Sequence, residues 1–310
     1  MRHPRFILIC FFVFVSAGCW GLYWLPQRLL VEAGMTGGWG TVAQWLICLA
    51  VLLPIAIWRL MKGQQIGLRY WACGVLLGSG AMFYANSFLL TDVVRALVFF
   101  YLAPLWATLF EVVFLKRRPA RPRAVSITLA LSGVWIAVGL DVGLPVPSQL
   151  GDWFGLFGGV LIAAGAVRTE IDQPQDVFPL LFMVVVFCIV SSAFQYPFMS
   201  DVIGTIPTLD AIEANLPFLL VLVVVFVLPT TAFVFWAPQQ IGTGIFGILI
   251  LSELVVGVIS AALLTDEPFG WREAIGTTLV VLAGIVEVAM NRSQGPVGQL
   301  PPMENAEKPG

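Results

Sequence analysis

Residues 241–264 read IGTGIFGILILSELVVGVISAALL, an apolar run in which Glu253 is the one charged residue. A helix needs about 20 apolar residues to cross the hydrocarbon core of a bilayer, so this run has the length of a membrane span. A carboxylate at such depth is costly, and groups of this kind usually face the interior of a helix bundle or a wet cavity. The run therefore predicts a membrane helix whose single acid points away from lipid.

The whole chain has the composition of a membrane protein. Of its 310 residues, 59% are hydrophobic and 11% are charged, and the mean hydropathy is +0.93. Soluble domains carry about a quarter charged residues. Each apolar run has to be a helix, because a lone strand would leave its backbone groups unpaired in lipid. We therefore predict an all-α, polytopic protein embedded in the lipid bilayer.

Ten transmembrane helices can be placed along the sequence. They lie at about 6–25, 39–58, 70–90, 95–115, 124–140, 153–168, 177–199, 216–236, 241–264 and 270–290. Residues 293–310 are rich in Pro, Gly and Glu, and they are predicted to form a disordered cytoplasmic tail.

Basic residues predict the orientation of these spans. When ten spans alternate across the membrane, all but three of the 16 lysines and arginines fall on the side of the N-terminus. The exceptions are Arg28, Arg95 and Arg272. Because cytoplasmic loops carry the excess of basic residues, both termini are expected in the cytoplasm, and the protein in the inner (plasma) membrane.

Two stretches of the chain resemble each other at an offset of 149 residues. Residues 101–119, YLAPLWATLFEVVFLKRRP, align with residues 250–268, ILSELVVGVISAALLTDEP, and in both a span ends in a charged turn closed by proline. Five spans per half would insert the second half upside down. We therefore predict two inverted five-helix repeats, 1–148 and 149–292, with a substrate site near the membrane midplane between them.

Four segments carry a family resemblance, and they are spread along the chain from residue 19 to residue 285. They are LLTDEPFGWREAIGTTLVVLAGI (263–285), RALVFFYLAPLWATLFEVVFL (95–115), CWG (19–21) and GDWFGLFGGVLIAAG (151–165). In these segments the sequence resembles the drug/metabolite transporter superfamily (DMT), specifically its ten-span EamA-type branch. The resemblance implies helical, cofactor-free transport of small metabolites, often their export.

The sequence departs from the family pattern at two places. The first-half turn reads KRRP (116–119), where the family commonly has an acidic residue. Glu253 stands at the middle of span nine, where many relatives have a proline such as Pro104 in span four.

Glu253 is the first candidate for a functional role. Removal from water favours the neutral form of a carboxyl group. On the functional interpretation, Glu253 is a proton-coupling site or the partner of a substrate amine. On the alternative interpretation, it is a neutral carboxyl that hydrogen-bonds across helices in place of a proline kink.

Aromatic and amide side chains form a second candidate set, for a substrate pathway. The set comprises Trp20, Tyr23, Trp24, Tyr84, Asn86 and Tyr101. Tyr23 and Trp24 lie near a predicted span end, which favours an interfacial aromatic belt. For the deeper members the alternative is helix packing. Arg95, at the outer mouth of span four, either attracts anionic groups or is a solvated loop arginine.

Small residues predict close contacts between helices. Gly151, Gly155, Gly159 and Ala163 recur every four residues in span six, and Gly74 and Gly78 do so in span three. Such ridges let two helices approach closely. They indicate packing, and they are not a ligand motif.

Several kinds of chemistry are not expected. His3 is the only histidine, and the five cysteines lie in apolar runs without CxxC spacing, so neither a metal site nor a cofactor is predicted. No basic stretch interleaved with aromatic residues predicts nucleic-acid binding. The embedded acids are single, whereas an intramembrane enzyme would need a paired constellation.

We therefore predict a secondary transporter and no enzyme. It would export small amphipathic metabolites, such as amino acids or related compounds, across the inner membrane by alternating access. A gradient-independent facilitator of the same solutes and a non-transporting membrane scaffold are the alternatives. A homodimer is compatible with the sequence.

Overall fold

The computed structural model describes residues 4–36, 38–114, 116, 121–138, 146–173, 176–203, 206–241, 246, 249–267 and 269–291. All regular secondary structure in these ranges is helical. The helices are α1 (Pro4–Gly21), α2 (Trp24–Glu32), α3 (Trp39–Met61), α4 (Leu68–Ser87), α5 (Val93–Phe100), α6 (Ala103–Phe114), α7 (Arg121–Val138), α8 (Leu150–Asp172), α9 (Val177–Ile203), α10 (Leu209–Val221), a π-helical turn (Leu222–Val227), α11 (Leu228–Ile241), α12 (Ser252–Leu264) and α13 (Trp271–Asn291).

Six helical segments in the described part of the chain are long and apolar enough to cross a membrane. They are Arg5–Glu32, Trp39–Met61, Val93–Phe114, Leu150–Asp172, Val177–Met199 and Leu209–Pro238, and two shorter apolar helices lie at Ala124–Ala137 and Ser252–Leu264. The prediction of an all-helical, polytopic membrane protein is confirmed. The predicted tail 293–310 and the prolines of the two charged turns, Pro119 and Pro268, lie outside the described residues.

Two spans that correspond in the predicted repeats are interrupted near their middle. Span four breaks at residues 101–102, between α5 and α6, because Pro104 has no amide hydrogen to offer the carbonyl of Phe100. A second turn, at 250–251, directly precedes α12 in span nine. The two turns lie at the same 149-residue offset as the sequence similarity.

Glycines set the closest helix contacts, as their spacing predicted. A Cβ atom added at Gly159 would lie 2.5 Å from the carbonyl oxygen of Phe100, so α8 rests directly on the backbone of α5. A Cβ atom at Gly78 would lie 2.4 Å from the carbonyl oxygen of Val184, where α4 crosses α9. Larger side chains at these crossings would force the helices apart.

Ion pairs and hydrogen bonds identify the two ends of the bundle. At one end, which we call the 88–92 end, the α4–α5 turn (residues 88–92) and the start of α5 meet the middle of α2, the start of α8 and the segment after α12. We call the other end the 62–67 end, after the loop between α3 and α4 (residues 62–67). Here Arg59, near the end of α3, pairs with Asp176, just before α9. The two ends therefore carry separate sets of charged contacts.

Candidate functional site

Glu253 lies inside the helix bundle and contacts two tyrosines from other helices. The hydroxyl of Tyr84 on α4 donates to Oε1 of Glu253 at 2.5 Å, and the hydroxyl of Tyr101 donates to Oε2 at 3.1 Å. All three residues are buried, with Glu253 only 6% exposed. Three members of the two candidate sets therefore form one cluster, which we call the Glu253 site.

Packing holds the tyrosine rings in place around the carboxyl group. The ring of Tyr84 stacks on Phe100, with ring centres 4.0 Å apart, and meets Phe88 edge-on at 4.8 Å. The ring of Tyr101 lies edge-on to Phe100 at 5.5 Å. The hydroxyl groups therefore reach Glu253 from rings that have little freedom to turn away.

Local backbone structure explains how the acid reaches this position. The turn at 250–251 ends just before α12, so Glu253 lies in the first turn of that helix. A Cβ atom at Gly21 would come within 2.4 Å of the carbonyl oxygen of Glu253, so the end of α1 touches the backbone of the acid. On α12, Gly257 faces Gly21 and Leu97. The interruption of span one after Gly21 thus brings α1 against the Glu253 site.

The Glu253 site can hold a carboxyl group in either protonation state. As a carboxylate, Glu253 accepts one hydrogen bond at each oxygen. As a neutral acid, it can donate one hydrogen bond and still accept another. The cross-helix bonds fit the alternative interpretation from the sequence as well as the functional ones, so the role of Glu253 in proton coupling stays a prediction.

The first span places its aromatic residues inside the protein. Tyr23 is 1% exposed and Trp24 is 2% exposed, so their interpretation as an interfacial belt is wrong. The hydroxyl of Tyr23 donates to Gln44 at 2.8 Å, and the indole nitrogen of Trp24 donates to Ser260 on α12 at 3.0 Å. The α1–α2 interruption turns both rings inward. Trp20 packs on Tyr23 and on Phe226 of the π-helical turn.

A buried amide network next to Tyr23 was missed in the sequence. Gln44 exchanges hydrogen bonds with Gln27 at 3.3 Å in both directions, and Thr41 donates to Gln27 at 2.9 Å. These three side chains are at most 1% exposed. The signal in the sequence is the same as for Glu253, because Gln44 is an amide within the apolar stretch of span two.

Asn86 has a different environment from Tyr84, although both lie on α4. Its amide nitrogen donates to Gln195 of α9 at 2.8 Å, and Gln195 donates to Ser191 at 2.8 Å. Asn86 is therefore a polar contact between α4 and α9, whereas Tyr84 faces α12. A role of Asn86 in a pathway stays a prediction.

Arg95 is held by an acid that sequence reasoning did not select. Its guanidinium group contacts both carboxylate oxygens of Asp152 in α8, at 3.1 and 2.5 Å. Asp152 is fully buried, and it also accepts hydrogen bonds from Thr91, Ser148 and the amide of Gln149. The interpretation of Arg95 as a solvated loop arginine is therefore wrong. Arg95 and Asp152 each lie in the first turn of a helix, and this position is the feature of the sequence that could have indicated the pair.

The fold and the site define a helical membrane protein with a polar centre enclosed in its bundle. Residues 7–139 match the model of the EamA-like transporter family. This match confirms the resemblance to the EamA-type branch of the drug/metabolite transporter superfamily, and it covers most of the first predicted repeat. Together with the apolar helices, the match supports a multi-pass membrane protein.

A solved structure extends the likeness to the rest of the chain. This crystal structure, described only as "Crystal structure of protein", matches 94% of this chain and 99% of its own with a TM-score of 0.53. Its sequence is 16% identical, so the likeness concerns the fold alone. No curated protein matches the chain.

Proposed function

We propose that this protein is a secondary transporter that exports small amphipathic metabolites, such as amino acids or related compounds, across the inner membrane. Both termini would lie in the cytoplasm, and the 88–92 end would face outward. The main support is the position of Glu253, an acid of the second predicted repeat that is bonded by two tyrosines of the first. A polar centre shared between halves is what alternating access requires.

Helix contacts support the proposal of two inverted five-helix repeats. The last helices of the two halves, α7 and α13, pack on each other, as do α3 and α9. The contact of α1 with α12 has its counterpart in the contact of α8 with α5 and α6. In inverted repeats, a contact between two spans is expected to recur between the two equivalent spans of the other half. The contacts named above follow this pattern.

Glu253 would couple transport to a proton or to a substrate amine. Either partner competes with the tyrosine hydroxyl groups for the carboxylate oxygens, so binding at Glu253 would release Tyr84 and Tyr101 from it. Tyr84 lies on α4, and Tyr101 lies in the turn that directly follows α5. Loss of these bonds would therefore loosen contacts between the halves, which is the step that alternating access needs.

The aromatic residues of span one would line the pathway beside the Glu253 site. Trp20, Tyr23 and Phe226 form one cluster, with Trp20 4.7 Å from Tyr23 and 5.1 Å from Phe226. All three rings offer apolar surface, and those of Trp20 and Tyr23 also carry a polar tip, which suits amphipathic solutes. Tyr23 and Trp24 also carry hydrogen bonds to Gln44 and Ser260, so the pathway would have polar walls at defined positions.

The proposal is tested by reconstitution. A thermal-shift screen of the purified protein against amino acids, nucleobases and drugs first identifies a ligand. In proteoliposomes, Glu253→Gln is expected to abolish movement of that ligand driven by a pH gradient while the protein remains folded. Glu213→Gln, which removes an exposed acid on α10, is the matched control and should keep full activity.

A second outcome separates the rival function. If Glu253→Gln transports with unchanged dependence on the pH gradient, the coupling role is wrong. If the unmodified protein and Glu253→Gln both transport the ligand without a pH gradient, the protein is a facilitator. If neither transports any ligand that binds, a membrane scaffold is favoured.

A further inference from the structure

Two ion pairs connect the predicted repeats at the 88–92 end. Arg28 of the first repeat pairs with Glu267 of the second at 2.6 Å, and Arg95 of the first pairs with Asp152 of the second at 2.5 Å. We call these four residues the 88–92 latch.

Both pairs also bind the turn between α4 and α5. Arg28 donates to the carbonyl oxygens of Phe88 and Thr91, each at 3.2 Å. Glu267 accepts from the amide of Val93 at 2.8 Å, and Asp152 accepts from the hydroxyl of Thr91 at 2.8 Å. The turn is therefore held from both halves of the molecule at once.

The two ends of the bundle differ in how deeply their ion pairs are buried. Side-chain exposure in the latch is 18% and 0% for Arg95 and Asp152, and 28% and 10% for Arg28 and Glu267. At the 62–67 end, the pair that joins the halves, Arg59 with Asp176, has side chains 27% and 46% exposed. Exposed ion pairs contribute little, whereas removing one partner of a buried pair leaves a costly charge. Among the described residues, the ion pairs between the halves are therefore more deeply buried at the 88–92 end.

The latch is connected to the Glu253 site by short contacts. Helix α12 carries Glu253 in its first turn, and Glu267 follows shortly after its end. Phe88, whose carbonyl oxygen accepts from Arg28, packs edge-on against Tyr84 at 4.8 Å. A movement of α12 or Tyr84 would thus displace groups that the latch holds.

We propose that the 88–92 latch is a gate that closes this end of the transport pathway and opens by separating both ion pairs. The inference rests on the proposed function, because it requires two halves that move against each other. In the closed state the four side chains and the 88–92 turn block access to the interior. In the open state Arg28 and Arg95 leave their acids and meet water.

Accessibility of a buried cysteine tests the gate without any substrate. Val98 lies one helical turn deeper than Arg95, is 0% exposed, and lines a pocket with Arg95 and Glu267. In a background without the five native cysteines, Val98→Cys is expected to react slowly with a membrane-impermeant thiol reagent added at the 88–92 end.

Loss of one latch partner should raise that labelling rate. Arg28→Gln and Asp152→Asn are each expected to increase it about tenfold, since each strands a charge in the closed state. Arg59→Gln, which breaks the pair at the 62–67 end, is the matched control and should leave it unchanged. Arg28→Lys, which keeps a positive charge and N–H donors beside Glu267 and the carbonyl oxygens of the turn, should retain slow labelling.

Unchanged labelling in a folded Arg28→Gln protein, or labelling of Arg28→Lys as fast as that of Arg28→Gln, would overturn the gate. An equal rise in Arg59→Gln would also overturn it, because that result indicates general loosening. Size-exclusion chromatography checks folding, and Arg28→Gln carries the test if Asp152→Asn does not fold. Intact transport with unchanged labelling rejects the gate alone, whereas fast labelling without transport of any ligand rejects the proposed function alone.

Discussion

The hydroxyl oxygen of Tyr101 lies 3.4 Å from the carbonyl oxygen of Ile250, and these two residues are separated by the 149-residue offset of the predicted repeats. Each stands in the turn that interrupts its span. The two interruptions therefore meet at one place in the bundle, and the same hydroxyl also reaches Glu253. In the proposed inverted repeats, the pseudo-two-fold axis would pass through this point.

Removing the hydroxyl of Tyr84 should destabilise the protein. Tyr84→Phe leaves a buried oxygen of Glu253 without its donor, and we expect a loss of about 1–3 kcal/mol. The measurement is the thermal unfolding midpoint in detergent. Tyr196→Phe on α9 is the matched control and should have a smaller effect. Equal midpoints for Tyr84→Phe and the unmodified protein would contradict the bond.

A double-mutant cycle should show that Tyr84 and Glu253 act together. We expect Tyr84→Phe and Glu253→Leu to couple by about 0.5–3 kcal/mol, because each removes one partner of the same hydrogen bond. Additive effects on unfolding would mean that the pair is not formed in the membrane-embedded protein.

The contact between α8 and α5 should tolerate no side chain at Gly159. Gly159→Leu places atoms where the carbonyl of Phe100 stands, so overpacking should cost about 1–3 kcal/mol or more. Fluorescence-detected size-exclusion chromatography measures the folded fraction. Gly67→Ala has open space around its added carbon and is expected to behave as the unmodified protein.

The buried amide network should depend on both of its glutamines. Gln44→Leu leaves Tyr23 and Gln27 without their partner, at an expected cost of about 1–3 kcal/mol for the unpaired groups. Adding Gln27→Leu to this variant should cost less than Gln27→Leu alone, because the second amide has already lost its partner. The measurement is the thermal unfolding midpoint of Gln44→Leu, of Gln27→Leu and of the double variant.

Cysteine labelling of intact cells should reveal the orientation. With both termini in the cytoplasm, Leu209→Cys is expected to react with an impermeant reagent from outside, and Gln64→Cys only after the membrane is opened. Both side chains are exposed at their respective loops. The reverse pattern would invert the proposed topology and the outward assignment of the 88–92 end.

The all-helical, membrane-embedded class could be predicted from the sequence because the length and hydropathy of apolar runs are local properties, and six of the described helices are long and apolar enough to cross a membrane. The candidate acid could also be predicted, because Glu253 stands alone in an apolar run. Tyr84 and Tyr101 could be selected as candidates because of their residue type, but their contact with Glu253 could not be predicted. That contact depends on how the helices pack, which cannot be read from one sequence.

Other features of the site could not be predicted, because they depend on helix interruptions and on helix packing that no local sequence pattern indicates. Pro104 indicates the turn at 101–102, but no proline marks the turn at 250–251. Tyr23 and Trp24 were assigned to a belt from their distance to a span end, and the interruption after Gly21 turns them inward instead. Asp152 and Arg95 are far apart in sequence, so their pairing became visible only when the helix starts were brought together.

The interruptions at 101–102 and 250–251 have a mechanical consequence. A continuous helix transmits any tilt through the full thickness of the membrane, whereas a broken one divides into two short rods that reach through one leaflet each. One half of an interrupted helix can then tilt within its leaflet, while the helix contacts in the opposite leaflet are preserved. In the proposed transporter, a solute would then cross in stages, with one leaflet's part of the protein rearranging at each stage.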